Sequence, residues 1–127
     1  MLRQGPIPPF VHGVLEYAIG VLLIAAPFLF DFDSAAATAV ALVLGIVVLV
    51  SAASSPTRAG LSPVVPVAIH VLTDLVLSGI MVAAPFLFGF SDEAAPTAFF
   101  LVLGVAGVLL TIATRFLPER AADARAS

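Results

Sequence analysis

Four apolar runs, each long enough to cross a bilayer, alternate with short polar segments along the chain. No charged residue lies between Ser34 and Thr57, from Leu75 to Ser91, or from Ala94 to Thr114. Uncharged apolar runs of about 18 or more residues read as membrane-spanning helices. The pattern predicts helices at about Pro8–Phe30, Ala36–Ser54, Pro66–Phe88 and Pro96–Phe116. Pro8 and Pro66 suit a first helical turn, where a missing N–H is harmless. The breaks DFDSA and GFSDEAA are short, so the first and second runs, and the third and fourth, form antiparallel hairpins. Between the hairpins runs SSPTRAGLSPVVP, a link rich in Ser, Pro and Gly.

The pattern is duplicated. VHGVLEYAIGVLLIAAPFLFDF, from Val11 to Phe32, returns as IHVLTDLVLSGIMVAAPFLFGF, from Ile69 to Phe90. AAATAVALVLG, from Ala35 to Gly45, returns as AAPTAFFLVLG, from Ala94 to Gly104. Two spans per copy leave both copies in the same orientation, a parallel repeat about an axis along the membrane normal. The expected fold is an all-α, four-transmembrane-helix bundle of two tandem parallel helical hairpins. Repeat 1 covers 11–54 and repeat 2 covers 66–116. Segment 1–10, linker 55–65 and tail 117–127 are expected on the cytoplasmic side. Arg3, the apolar stretch and Ala25-Ala26 superficially fit a cleaved signal peptide. Recurrence of the same segment as the third run favours a true span.

Composition narrows the class. The chain has 127 residues, 61% hydrophobic and 10% charged, against about half and a quarter in soluble domains. It has no cysteine, which excludes disulfides and thiolate metal ligands. The net charge of -3 comes with no basic patch, so nucleic acid is not an expected partner. Every basic residue is an arginine: Arg3, Arg58, Arg115, Arg120 and Arg125, all on one side of a four-span topology. Asp31, Asp33, Asp92 and Glu93 occupy the turns on the other side. The positive-inside rule then puts both termini in the cytoplasm of a cell (plasma or inner) membrane.

The block APFLF occurs twice, at Ala26–Phe30 and Ala84–Phe88. Pro27 crowds the carbonyl of Leu23 and Pro85 that of Met81, which predicts a kink or a helix end. Phe28, Phe30 and Phe32, matched by Phe86, Phe88 and Phe90, alternate at period two. That spacing suggests an extended or turning segment along the interface, with the rings as depth anchors. Gly20, Gly45, Gly104 and Gly107, with Gly13, Ser78 and Gly79, are candidate helix-packing positions, because small residues let membrane helices approach closely.

The candidate chemistry lies in four ionisable residues. His12 and Glu16 are spaced i, i+4, and His70 and Asp74 repeat the spacing. Each carboxylate falls about 12 Å inside the helix start at a rise of about 1.5 Å per residue. An ionised side chain at the bilayer centre costs about 2.5–3.5 kcal/mol on insertion scales, so such groups usually face the bundle interior. The structural reading is a hydrogen-bonded His–carboxylate pair in each repeat, locking the first helix against the third. A second structural variant has both pairs snorkelling to cytoplasmic water. Against these stand a proton relay through Glu16 and Asp74, a divalent-metal site, and a haem between His12 and His70. The structural readings are favoured, and no catalytic residue, metal or cofactor is assigned.

These residues and motifs resemble the SPW-repeat family of small bacterial and archaeal membrane proteins. In that family a Ser-Pro-Trp motif ends the first helix of each two-helix repeat. Here Ala26-Pro27-Phe28 and Ala84-Pro85-Phe86 stand in its place. Gly20 seven residues before Pro27, LFGF after Pro85, and mid-helix Gly45 and Gly104 support the likeness, which runs from about Val11 to Phe116. It implies a fold and a membrane location, with no settled activity. The expected role is therefore non-enzymatic: a structural or accessory protein acting through helix–helix association in the lipid bilayer, as a homo-oligomer or within a larger complex. The alternatives are a proton-coupled transporter using Glu16 and Asp74, and a metal- or haem-binding subunit using His12 and His70. Small multidrug resistance transporters share the span count and an embedded Glu, but the parallel duplication and Asp74 depart from their plan.

Overall fold

The computed structural model describes residues 6–55, 60–62 and 64–114. Four helices form within them: α1 (Pro9–Leu29), α2 (Ala35–Ala53), α3 (Val67–Leu87) and α4 (Ala94–Ala113). All four are long and apolar enough to span a membrane. Arg3, Arg58, Arg115, Arg120, Arg125, Phe116 and the tail 117–127 lie outside the described residues.

Helix starts follow the local chemistry. Pro8 and Pro66 are the N-caps of α1 and α3 rather than first-turn residues, with extended backbone at ψ 150° and 151°. Ser34 caps α2, its Oγ accepting from Ala37 N–H at 3.0 Å. α4 begins two residues before Pro96, which sits in the first turn, where an N–H has no intrahelical partner to lose. Its N-cap, Glu93, does not cap its own helix. The carboxylate reaches instead across to the α1–α2 turn, accepting from the backbone N–H of Asp33 at 2.6 Å and of Ser34 at 2.9 Å.

Both APFLF blocks end a helix. Phe32 N–H bonds Pro27 O at 3.0 Å and Phe90 N–H bonds Pro85 O at 2.9 Å. Asp31 (φ 48°) and Gly89 (φ 75°) occupy the left-handed position between. This is the Schellman closure, in which a left-handed residue lets the chain reverse and satisfies the last carbonyls. The period-two phenylalanines are therefore a helix end and a tight turn, with no extended segment. Phe28, Phe30, Phe86 and Phe88 point outward, while the turn carries Phe90 into the core at 1% exposure and leaves Phe32 half-buried. Phe32 and Phe90 are not surface anchors. Phe90 packs on Phe100 (centroids 5.4 Å apart) and Phe32 on Phe99 (6.0 Å).

α1 packs on α2 and α3 on α4 through backbone approach at small residues. A Cβ on Gly45 would lie 2.9 Å from Gly20 O, and one on Gly104 would lie 2.8 Å from Ser78 O. Ser78 fills in repeat 2 the place of Gly20, and Gly107, where repeat 1 has Val48, makes room for its hydroxyl. Gly79 differs from expectation: nothing lies within 4 Å of a Cβ there, so it is no packing point. Gly45→Val should therefore lower the unfolding free energy in detergent by about 1–3 kcal/mol through overpacking. Gly79→Ala should leave the unfolding midpoint in place or raise it slightly. Equal effects at the two positions would refute this account of the α1–α2 contact.

Candidate functional site

His12 and His70 stand in the first turn of α1 and α3, and Glu16 and Asp74 one turn further along the same faces. These are the helix ends nearest the described ends of the chain, where Ile7 N–H bonds Ala113 O at 3.1 Å. Apolar residues cover the opposite faces: Val11, Val14 and Leu15 on α1 and Ile69, Leu72 and Val76 on α3 are exposed. The polar side chains consequently turn inward. His12, Glu16, His70 and Asp74 retain only 1%, 5%, 2% and 7% of their surface, which rules out snorkelling.

The two polar pairs meet as one ring. His12 Nε2 lies 2.9 Å from Asp74 Oδ2, and His70 Nε2 lies 2.8 Å from Glu16 Oε1. The contacts within each helix are longer, 3.4 Å for His12–Glu16 and 3.3 Å for His70–Asp74. This corrects the pairing expected from the i, i+4 spacing, since the short bonds run between the repeats. Ring closure follows from geometry: a side chain four residues away on the same helix projects in parallel, whereas one on a facing helix projects head-on. The two short bonds are the same contact with the repeats exchanged, as a twofold axis through the ring requires. The imidazoles themselves meet edge to face, with centroids 6.0 Å apart.

α4 contributes a residue that sequence reasoning missed. Thr114 Oγ1 lies 2.7 Å from His12 Nδ1 and donates its own proton to Leu110 O at 2.6 Å. A hydroxyl with its single proton committed must accept from the imidazole, so His12 carries hydrogen on Nδ1. Ser55 holds the equivalent place at the end of α2 and is fully buried. A sequence signal existed: both hydroxyl residues stand ten positions after a matched glycine, Gly45 and Gly104. Among the described residues, no buried side-chain N or O atom lacks a partner.

Beyond the ring, a cavity of about 30 Å³ extends between the helices, past Ile19, Leu77 and Met81 to Ser78, Gly107 and Thr111. It admits a water-sized guest. Pro27, Phe28, Phe30, Pro85, Phe86 and Phe88 lie at the far end of the bundle and take no part.

A family model described as the SPW repeat domain matches residues 10–114. The chain belongs to the SPW repeat family. No curated protein and no solved structure matches it significantly. The match spans both hairpins, so the SPW repeat region contains the whole ring, from His12 on α1 to Thr114 beyond α4. This SPW repeat chain is a small multi-pass membrane protein.

Proposed function

We propose that the protein is a non-enzymatic structural or accessory component of the cell membrane, with cytoplasmic termini, that works by helix–helix association with a second copy of itself. One observation carries the reading, a spanning apolar groove between α1 and α4. Near the ring end it measures about 530 Å³ and is lined by Leu15, Ala18, Ala106 and Ala113 among others. It continues at the far end as a further 380 Å³ beside Phe30, Ala95, Ala98 and Val102. Ala95, Ala98, Val102, Ala106, Leu109 and Ala113 recur along α4 at steps of three and four. That spacing forms a single helical face, and its small residues allow close backbone approach by another spanning helix. The ionisable groups, in contrast, are turned away from this surface and tied to one another. Arginines at 3, 58, 115, 120 and 125 support the cytoplasmic placement of the termini.

The chain has no cysteine, so single-cysteine crosslinking in native membranes tests the reading directly. Val102→Cys, in the groove, should yield a covalent homodimer on oxidation. Val43→Cys, on the exposed face of α2, should stay monomeric. A monomeric Val102→Cys chain in membranes would sink self-association.

A further inference from the structure

The buried ring has a chemical capability beyond association of helices. We propose that His12, Glu16, His70 and Asp74 form a binding site for one divalent transition-metal ion of the zinc class. Each residue offers one ligand atom, and the four atoms lie within 4.8 Å of one another. Nitrogen and oxygen alternate around a closed ring with edges of 2.9, 3.3, 2.8 and 3.4 Å. An ion with bonds of about 2.0–2.1 Å holds tetrahedral ligands about 3.3 Å apart. The ring edges bracket that value, and the farthest ligand pair, within 4.8 Å, closes by up to about 1.5 Å when the ring puckers around a tetrahedral ion.

Three further observations point the same way. Two neutral imidazoles and two carboxylates carry a charge that a divalent ion cancels, which matters where an uncompensated charge meets no water. The mixed nitrogen and oxygen donor set suits zinc and its neighbours rather than calcium. Most specific is the Nδ1–H of His12 bonded to Thr114, which leaves Nε2 as the nitrogen that faces the ring. Metal-bound histidines generally donate their other ring N–H to an outer partner in this way. Without metal, each short N···O contact needs a proton between the two lone pairs. The incoming ion displaces both protons to solvent, and charge balances. The proposal uses the same bundle as the proposed association but does not depend on a second copy, so the two fail separately.

The test is a titration of full-length, chelator-stripped protein in mild detergent with Co²⁺ as spectroscopic probe. A single Co²⁺ per chain is expected, with the intense visible bands of a tetrahedral site, displaced by Zn²⁺. Asp74→Asn and His70→Gln should abolish the bands, and Glu93→Gln, at the far end, should not. Thr114→Val keeps all four ligands and should retain the spectrum with affinity weakened roughly 10–100-fold. Asp74→Glu should preserve tetrahedral binding, which guards against misfolding as the cause of loss in Asp74→Asn. A helical, monodisperse wild-type chain that shows no tetrahedral Co²⁺ spectrum would overturn the proposal. So would equal affinity in the wild type and the ring variants, or an unchanged affinity in Thr114→Val.

Discussion

In chelator-treated protein, Asp74→Ala should lower the unfolding free energy by about 3–5 kcal/mol, the usual cost of removing one partner from a buried ionic pair. The magnitude comes from what is left behind. Without Asp74, His12 Nε2 loses its short contact at 2.9 Å in a site to which water has almost no access. His70 and Glu16 then face a ring with an unbalanced charge. Replacing the whole ring by apolar residues of similar size (His12→Leu, Glu16→Met, His70→Leu and Asp74→Val together) leaves no such orphan. That quadruple variant should be within about 1 kcal/mol of wild type or more stable, because apolar replacement of a buried ion pair is often neutral or stabilising. Steric trapping or a denaturing-detergent titration reads both values. A quadruple variant as unstable as Asp74→Ala would mean that the ring is worth more than its apolar equivalent. A neutral Asp74→Ala would mean that the surviving groups find other partners.

Phe100→Ala should cost about 3–5 kcal/mol, the range for emptying a large aromatic site in a core that relaxes only partly. Phe100 is 0% exposed and is packed between Phe90 (centroids 5.4 Å apart) and Phe99 (5.6 Å). The two repeats are unequal here. Repeat 1 places Ala41 at the matching position, also in the core and 0% exposed, so no second large side chain stands in the equivalent place. Lipid offers the truncated site no compensation, because its loss is one of packing contacts inside the bundle. The same unfolding assay applies. A loss below about 1 kcal/mol would show that Phe99 and Phe32 collapse into the space.

Legibility differed between the fold and the ring. Spans, hairpins and repeat register were readable because bilayer thickness and the exclusion of charge act on contiguous sequence. Seven of the eight helix ends were readable to within two residues; α4 stops at Ala113, where Thr114 turns extended, rather than at Phe116, and the smaller differences have local causes. Pro96 was read as the start of α4, yet the first turn tolerates proline, so the helix begins at Ala94. The alternating phenylalanines were read as an extended or turning segment, and left-handed Asp31 and Gly89 decide for a tight turn that sends Phe90 inward. Thr114 escaped notice because its one mark in the sequence is a ten-residue distance from Gly104, shared by Ser55 after Gly45, and its partner is 102 residues away.

The doubled His–carboxylate spacing illustrates the boundary. From the chain alone came the number of spans, the duplication, and the placing of His12 with Glu16 and of His70 with Asp74 one turn apart on a single helix face. Local helix geometry and the bilayer decide all of these. Which histidine bonds which carboxylate was settled only in three dimensions. It depends on how α1 and α3 face each other across the bundle, which neither hairpin specifies by itself. Spacing along one helix is written in the sequence, whereas the distance between two helices is the outcome of packing them all.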